Sequence, residues 1–469
     1  MTPFLLELGL AALVLVVFVA TLLARGADRR WVGWLATGGV LLLGALTWAV
    51  PPTPPALGGM FVQDGLAIFA KRLFLAATFI GLLGGLRQPG AVFARRAGEY
   101  HLLLLTSLLG MLVLASARDL ILLFVAFELM SMPLYVLSGF AKREATAVEA
   151  ALKFFLVGSV SSAVMAYGLS FVYGSARTTG LDGVATALGA GDPLLILGLL
   201  MAFAGFGFKI AAVPFHMWVP DAYEAAGTPF VAWLSVAPKA AGFIALFRVY
   251  FEGVGPEVAR WMPVASGLAA VTIVAGNLMA LPQQNTKRLL AYSGVAHIGY
   301  MLVGVAAASA TGTAMVLFYL VAYVFGNMGA FLVVEAVARA EGSEHVAALR
   351  GLAQRAPLLA LAMLLFLLSL GGIPFVAGFW AKLYVFWAAA GAGLYWLVLT
   401  GAILTVVALF YYLIVAKRMY IDPPPRMARV PIEGTLAVAL ILCVIGVVVL
   451  GIYPKPVVMA ALRVAGPLF

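Results

Sequence analysis

The chain has 469 residues, of which 64% are hydrophobic and only 10% are charged, and its mean hydropathy is +1.09. These values exclude a soluble protein of this length and indicate a polytopic membrane protein. The formal charge of +10 lies mostly in short loops between apolar runs, which favours a membrane topology signal over nucleic-acid binding, and the single cysteine, Cys443, excludes a disulfide framework or a cysteine-held iron–sulfur centre.

Apolar runs of about twenty residues, the length that crosses a bilayer, occur throughout the chain. The N-terminal run has no basic leader and is too long for the core of a signal peptide, so it is predicted to be the first span. Charged or Pro/Gly-rich breaks separate about fourteen predicted spans. They lie near residues 3–25, 31–50, 63–86, 99–117, 119–140, 146–174, 193–213, 229–250, 258–281, 288–308, 313–338, 357–390, 394–418 and 433–453.

Lys and Arg are distributed unequally between alternate loops, with 17 in the odd-numbered loops and 4 in the even-numbered ones. The positive-inside rule then places the odd-numbered loops in the cytoplasm and both termini in the periplasm. The residues of the odd-numbered loops are Arg25, Arg29, Arg30, Arg87, Arg95, Arg96, Lys142, Arg143, Lys287, Arg288, Arg339, Arg350, Arg355, Lys417, Arg418, Arg426 and Arg429; those of the even-numbered loops are Arg118, Arg177, Arg248 and Arg260.

Two of the predicted spans combine a lysine with a proline break. The first is AGFGFKIAAVPFHMW, with Lys209 and Pro214, and the second is LSLGGIPFVAGFWAKLYVF, with Pro374 and Lys382. A helix break frees backbone carbonyls, which is tolerated only where protein or a water-filled cavity satisfies them, and such breaks point to an ion path. The polar segment 215–228 is predicted to be the second half of the broken seventh span or a re-entrant loop.

The remaining ionisable residues of the predicted spans differ in how deeply they lie within the membrane. Lys71 and Arg72 lie a third of the way into their span and are predicted to snorkel to the interface. Lys153 closely follows a loop, and snorkelling is an alternative to a functional role there. Three lysines and one acid lie deeper, where a charge is costly and typical of proton paths. These are Glu128, Lys209, Lys239 and Lys382, joined by His297, for which a structural role is the alternative, and by Tyr300 and Tyr323.

These residues and their surroundings resemble the antiporter-like membrane subunits of respiratory complex I, the proton-pumping NADH:quinone oxidoreductase. The resemblance covers nearly the whole chain and is strongest over residues 118–385. The most specific stretches are FELMSMPLYVLSGF, AALKFFLVGSVSSAVMAYG, FGFKIAAVPFHMWVPDAYEAAGTP, APKAAGFIALFRV, GNLMALPQQNTKRLLAYSGVAHIGYMLVG and GGIPFVAGFWAKLYVF. The family has three paralogous subunit types. The break sequence VPFHMWVPDAYEAAGTPF and Lys382, where the M-type usually has a glutamate, argue against the M-type. The end of the chain after about fourteen spans, without a long C-terminal lateral helix, argues against the L-type.

The resemblance implies an all-α polytopic membrane protein of about 14 transmembrane helices, with two inverted five-helix repeats and two broken helices. The chain, residues 1–469, would form a single integral membrane domain, with its first antiporter-like half at about 99–250 and its second, inverted half at about 258–418. Glu128 and Lys209 match the family's controlling pair, and Lys153 a lysine near it. Lys239 matches the connecting lysine, His297 a histidine of the polar axis, and Lys382 the lysine near the exit.

The function that the resemblance implies is proton translocation across the bacterial inner membrane, driven by electron transfer from NADH to quinone in other subunits. The chain is expected to hold no cofactor, because NADH, FMN, iron–sulfur clusters and quinone would be bound by the other membrane and peripheral subunits of the complex. The enzyme would be the assembled translocase. A subunit of a multi-component Na⁺/H⁺ antiporter is the alternative, and a structural spacer without pumping is a third hypothesis.

Overall fold

A computed structural model describes residues 3–24, 26, 28–88, 90–188, 192–253, 262–424 and 426–469, with the backbone alone described at 91, 92 and 188. Within these residues the chain is almost entirely helical, and its two short strands form one hairpin. Arg25, Arg260 and the predicted start of the ninth span at 258 lie outside the described residues.

The described helices are numbered in chain order. They are α1 Leu5–Leu23, α2 Trp31–Leu46, α3 Gly65–Gly85, α4 Ala91–Ser116, α5 Leu120–Ser138, α6 Ala145–Ala176, α7 Leu181–Leu188, α8 Pro193–Ile210, α9 Trp218–Ala225, α10 Thr228–Leu234, α11 Ala237–Phe247, α12 Met262–Ala280, α13 Thr286–Ala306, α14 Ala310–Glu341, α15 Leu352–Arg355, α16 Pro357–Gly371, α17 Ala377–Gly391, α18 Tyr395–Tyr420, α19 Gly434–Ile452 and α20 Lys455–Ala465. Strands β1 Thr53–Ala56 and β2 Phe61–Gln63 pair antiparallel.

The predicted spans each coincide with described helices. Within the described part of the chain, twelve helical segments are long and apolar enough to cross a membrane, counting Thr228–Glu252 as one. The two remaining predicted spans correspond to the shorter helix α2 and to the pair α16 and α17, which flank the predicted break at Pro374. The all-α, polytopic fold class predicted from the sequence is therefore confirmed.

Helix starts follow from local side-chain chemistry. Asp64, Asp119, Asn285 and Ser309 lie at the N-caps of α3, α5, α13 and α14, and the side chain of each accepts a hydrogen bond from a backbone N–H of the first turn. Such caps satisfy amide groups that have no partner within the helix. Helix α16 ends at Gly372, which adopts a left-handed conformation with φ 81°.

The described helices group into two compact units. Unit 1 comprises Met1–Ile210, Ala237–Ala259 and Pro467–Phe469. At its centre α11 is buried along its whole length and packs on α3, α4 and α8, while α4 packs on α5 and α6 on α8.

Unit 2 comprises Ala211–Val236 and Arg260–Gly466. Its centre is formed by α13 and α14, which are almost entirely buried; α13 packs on α9 and α12, and α14 on α10, α16, α17, α19 and α20. The inverted repeats at 99–250 and 258–418 stay a prediction.

One helix interruption has no counterpart among the breaks predicted from the sequence. The eighth predicted span divides into α10 and α11 at Ser235 and Val236, and Pro238 follows at the second position of α11. A proline is compatible with the first turn of a helix, where its missing N–H has no intrahelical partner. The seventh predicted span, 193–213, ends three residues earlier in the structure, because α8 stops at Ile210. The short helix α9 lies within the polar segment 215–228.

Candidate functional site

Lys209 lies in the last turn of α8, next to the first helix break, and is almost fully buried. Its ammonium Nζ donates a hydrogen bond of 2.6 Å to the hydroxyl of Ser131 on α5. The same Nζ lies 4.8 Å from the centre of the Phe127 ring and 5.6 Å from that of Phe208, distances at which aromatic faces attract a cation. The ammonium therefore has one neutral hydrogen-bond acceptor and an aromatic surround.

Glu128 lies on α5 as well, one turn before Ser131. Its carboxylate accepts a hydrogen bond of 2.5 Å from the hydroxyl of Ser162 on α6. The structure does not bring Glu128 and Lys209 into a direct ion pair; the two charges lie close enough to interact electrostatically, with Ser131 and Ser162 as their immediate partners. Both serines were missed by sequence reasoning, although the spacing of three residues between Glu128 and Ser131 indicates a shared helix face.

Lys239 is the third residue of α11 and is almost fully buried. It follows the unpredicted interruption at Ser235 and Val236, so it lies in the first turn of a half-helix. The helix dipole disfavours a cation at this end, whereas Lys209 lies at the end of α8 that favours one. Helices α8 and α11 approach closely here, because a Cβ added at Gly242 would lie 3.1 Å from Cγ of Lys209.

Lys153 differs from the other predicted site residues. Its side chain is 49% exposed, and its ammonium forms an ion pair of 2.8 Å with Glu149 one turn earlier on α6. The structure thus places this lysine on a helix surface, two turns from the start of α6.

Lys382 lies in the second turn of α17, just after the break, and is 4% exposed. Its Nζ donates a hydrogen bond of 3.3 Å to the carbonyl of Gly371 at the end of α16, and lies 4.6 Å from the centre of the Tyr300 ring. A Cβ at Gly372 would lie 2.9 Å from Cδ of this lysine, so the left-handed glycine also leaves room for its stem. The break thus supplies the carbonyl that the ammonium contacts.

His297 on α13 belongs to a buried network of hydroxyl groups in unit 2. Its Nδ1 lies 2.8 Å from the hydroxyl of Tyr319, and its Nε2 lies 3.3 Å from that of Tyr412. Tyr412 is also 2.5 Å from the hydroxyl of Ser293. An imidazole between two hydroxyl groups can accept a proton on one side and donate on the other.

A second polar chain in unit 2 runs through Asn277 on α12. Its amide donates to the hydroxyl of Tyr300 at 3.2 Å and accepts from that of Tyr411 at 3.0 Å. The sequence analysis singled out Tyr300 but not Tyr411 and Tyr412. Their signal was the adjacent pair of tyrosines within the otherwise apolar thirteenth span.

Each break holds one residue other than glycine in the left-handed region. Ala211 has φ 67° and Phe375 has φ 73°. Such a conformation costs on the order of 1–3 kcal/mol and persists only where surrounding structure holds it. Strain of this kind at both interruptions, next to Lys209 and before Lys382, is typical of functional rather than purely structural segments.

The prediction that Lys71 snorkels to the interface is wrong. Its side chain is 0% exposed, and its ammonium pairs with Glu7 of α1 at 2.5 Å and with Gln63 of the hairpin. The prediction failed because a carboxylate in the first span was not considered as its partner. The guanidinium of Arg72 donates to the carbonyl of Thr47 and stacks on Trp48, and its snorkelling stays a prediction.

A further buried cation, Arg248, lies in the π-helical turn Arg248–Glu252 after α11 and is 0% exposed. Its two terminal nitrogens donate to the carboxylate of Asp64 at 2.6 and 2.7 Å, and one also donates to the carbonyl of Ala115. Glu252 adds a third carboxylate oxygen and pairs with Arg118 as well. Arg248 was counted as a loop residue from the sequence; the structure makes it the centre of an ion network in unit 1.

Buried ammonium groups beside interrupted membrane spans define the class: a polytopic α-helical membrane protein with ionisable groups held at its helix breaks. The family model described as NADH:quinone oxidoreductase/Mrp antiporter, TM matches residues 117–408. This chain belongs to that family, and the antiporter-like resemblance seen in the sequence is confirmed.

Individual relatives and solved structures are similar to this chain over nearly its whole length. NADH-quinone oxidoreductase subunit N of Moorella thermoacetica is 40% identical over 466 residues, 99% of this chain and 98% of its own. A chain of respiratory complex I from Thermus thermophilus with bound aureothin is 33% identical, with a TM-score of 0.84 over 97% of this chain and 99% of that one. A chain of the Mrp complex from Dietzia is 21% identical with a TM-score of 0.89 over 100% and 98%, which shows the shared fold alone.

Proposed function

We propose that this chain is a proton-translocating membrane subunit of an NADH:quinone oxidoreductase complex. The observation that carries the proposal is the placement of three buried lysines, Lys209, Lys239 and Lys382, each next to a helix interruption. Lysine is costly inside a bilayer, by about 2.5–3.5 kcal/mol on insertion scales, so three such residues at breaks favour a transport role over a structural one.

The contacts support roles for the individual residues. Lys209 would exchange a proton under the influence of Glu128, because its direct partner is a neutral serine and a small shift of the carboxylate changes the stability of the ammonium. Lys239 would receive and pass on a proton within unit 1. His297 would relay the proton through the hydroxyl groups of Tyr319 and Tyr412. Lys382, which lies beside the carbonyl of Gly371, would release the proton.

Lys153 enters this proposal as a surface lysine of the same half of the chain, paired with Glu149. Its exposed position suits exchange of protons with water or with an adjoining subunit. It would therefore act at the entrance of a path and not within the buried set.

The redox chemistry would lie in other chains of the complex. The partners that we propose are the other membrane and peripheral subunits, which would bind NADH, FMN, iron–sulfur clusters and quinone. The relatives named subunit N support this assembly, and the enzyme would be the whole translocase. The chain would lie in the inner membrane of a bacterium with both termini in the periplasm, as the loop charges indicate.

Replacement of Lys209 tests the proposal. Lys209→Ala should reduce NADH-driven proton uptake into inverted membrane vesicles by about tenfold or more, because it removes the titrating group while leaving the helices in place. Proton uptake is followed with a fluorescent pH indicator, and assembly of the complex is checked on a native gel. Lys455→Ala is the matched control, since Lys455 is exposed at the start of α20. Wild-type proton uptake in a fully assembled Lys209→Ala complex would contradict the proposal.

A subunit of a multi-component Na⁺/H⁺ antiporter is the second candidate, because the family model that matches residues 117–408 also covers Mrp antiporters. The two functions differ in their partners. Purification of the native assembly through a tag on this chain should recover iron–sulfur subunits; recovery of membrane subunits alone, with Na⁺-driven proton exchange, would select the antiporter instead.

A further inference from the structure

A cluster of four cations lies at one end of unit 1, outside the set of residues considered for proton transport. The first turns of α4 carry Arg95 and Arg96, and the loop between α5 and α6 carries Lys142 and Arg143. Together with Ala141 and Glu144 they line a cavity of about 240 Å³. We call these six residues the basic pocket.

The basic pocket has a fixed shape because an aromatic residue anchors its loop to α4. The ring of Phe140 packs edge-on against Phe93 and Tyr100 of α4, with ring centres 6.4 and 5.5 Å away. Phe93 and Tyr100 are themselves buried. The loop therefore presents its two cations beside those of α4 in a defined arrangement.

The charges of the basic pocket are not balanced within the chain. It holds four cations and one carboxylate, and among the described residues no ion pair joins any of its four cations to an acidic side chain. Like charges held together repel each other unless a counter-charge lies between them. The pocket is thus electrostatically suited to an anionic group.

The position of the pocket restricts what that group can be. The loop is short and joins two membrane-spanning helices, α5 and α6, so it lies at the level of the lipid headgroups. Exposed apolar side chains extend from the loop into the membrane along both helices, namely Met132 and Val136 on α5 and Val148, Leu152 and Phe155 on α6. A cationic pocket continuous with an exposed apolar strip matches a molecule with an anionic head and hydrocarbon chains.

From this geometry we infer that the basic pocket binds the phosphodiester headgroup of an anionic glycerophospholipid, whose acyl chains lie along the exposed strip of α5 and α6. Arg and Lys recognise phosphate through charge-assisted hydrogen bonds, and basic pockets between membrane helices suit anionic headgroups. Charge complementarity and continuity with the membrane surface favour a lipid over an acidic protein surface.

The experiment uses the purified native assembly in nanodiscs that contain phosphatidylglycerol and phosphatidylcholine, each in turn carrying a photoreactive acyl chain. Wild type should be labelled within residues 132–156 at least about fivefold more by phosphatidylglycerol than by phosphatidylcholine. The triple change Arg95→Gln, Lys142→Gln and Arg143→Gln should abolish this preference, since each basic residue near a membrane surface contributes about fivefold.

Two variants control for charge and folding. Lys417→Gln, Arg426→Gln and Arg429→Gln remove the same charge from exposed residues of another basic loop and should leave the preference intact. Arg95→Lys with Arg143→Lys keeps the charge and should retain most of it. Equal labelling of wild type by the two lipids would overturn the inference whether or not any variant assembles.

Two further outcomes identify other occupants. Full loss of the preference on addition of millimolar inorganic phosphate would assign the pocket to a free anion. A photoreactive amino acid placed at Lys142 that crosslinks to a neighbouring protein, and not to phosphatidylglycerol, would assign the pocket to a protein interface. Either result would contradict the lipid assignment.

Discussion

At the scale of single residues, the buried lysines fall into two kinds according to what their ammonium groups contact. Lys71 pairs directly with the carboxylate of Glu7. The hydrogen bonds of Lys209 and Lys382 go to a serine hydroxyl and a backbone carbonyl. A neutral partner holds an ammonium more weakly than a carboxylate does, which is why we propose the proton-carrying role for the second kind.

Ser131 is therefore expected to matter as much as the charges around it. Ser131→Ala removes the hydrogen bond to Lys209, and a bond to a charged group is worth about 1.5–3 kcal/mol. We expect NADH-driven proton uptake to fall by about tenfold in an assembled complex. Ser138→Ala on the same helix is the control, because its hydroxyl bonds to the carbonyls of Leu134 and Tyr135 of its own helix. Equal activities of the two variants would show that Ser131 does not support Lys209.

Substitutions at Lys382 can separate the effect of a positive charge from the effect of a group that titrates. Lys382→Arg keeps a cation near the carbonyl of Gly371, but a guanidinium does not deprotonate in proteins. Proton uptake should fall strongly while assembly stays normal, and Lys382→Glu should retain part of the activity because a carboxylate also titrates. Lys417→Arg, at an exposed position, is the matched control. Full activity of Lys382→Arg would make Lys382 a fixed charge and not a proton carrier.

At the scale of helices, the ion network around Arg248 joins the start of α3 to the π-helical turn after α11. Asp64 caps α3 by accepting from the N–H of Ala67 at 2.8 Å and also holds both terminal nitrogens of Arg248. Burial alone would raise the pKa of the Asp64 carboxyl. The charge and hydrogen bonds of Arg248, with the Ala67 N–H and the charge of Arg118, more than offset this and lower its pKa below the ordinary 3.8.

The lowered pKa of Asp64 predicts that acid destabilises the folded protein. A carboxyl whose pKa is lower in the folded state stabilises the fold above its unfolded pKa, and this contribution is lost as the pH falls through the folded value. The thermal midpoint of the detergent-solubilised complex should therefore drop below about pH 4, and Asp64→Asn should flatten that part of the profile and lower the midpoint at pH 7. Asp28→Asn, in an exposed pair with Arg30, should do neither. Identical acid slopes for wild type and Asp64→Asn would contradict the role of this pair.

How far the helices could be predicted depends on what determines each one. Spans such as α5 and α14 follow from apolar length, which local sequence carries. The two breaks at Pro214 and Pro374 also have a local signal, since proline cannot continue a helix. The interruption at Ser235 escaped because Pro238 is acceptable in a first turn, so only tertiary packing decides that α10 ends there; one such contact is the 2.7 Å hydrogen bond from Asn327 to Ser235.

The site residues also divide into those that the sequence predicts and those that only the structure reveals. Glu128, Lys209 and Lys382 were identified because a charge in an apolar run is visible without a structure. Their partners were not, because a serine or tyrosine in a membrane helix most often bonds its own backbone, as Ser161 does. Ser131, Ser162 and Tyr412 become functional candidates only when α5, α6 and α18 are placed beside the charged residues.

At the scale of the whole molecule, the unequal charges of alternate loops predict how the chain is oriented in the membrane. Basic residues such as Lys142, Lys417 and Arg429 are exposed near the ends of spanning helices, where the positive-inside rule counts them. Exposed cations near the ends of spans are retained on the cytoplasmic side during insertion. The basic pocket would then contact the cytoplasmic leaflet.

Single-cysteine labelling decides this orientation. Cys443 is fully buried in α19, so a Cys443→Ser background removes the native thiol with little effect on the surface. Met427→Cys introduces a thiol in the loop 417–432, and Pro52→Cys introduces one in the loop before the hairpin; both positions are exposed. A membrane-impermeant maleimide should label Pro52→Cys in spheroplasts and should label Met427→Cys only after permeabilisation. Because both positions lie in one chain, each serves as the control for the other. Labelling of Met427→Cys in sealed spheroplasts, with Pro52→Cys protected, would invert the topology and move the basic pocket to the periplasmic leaflet.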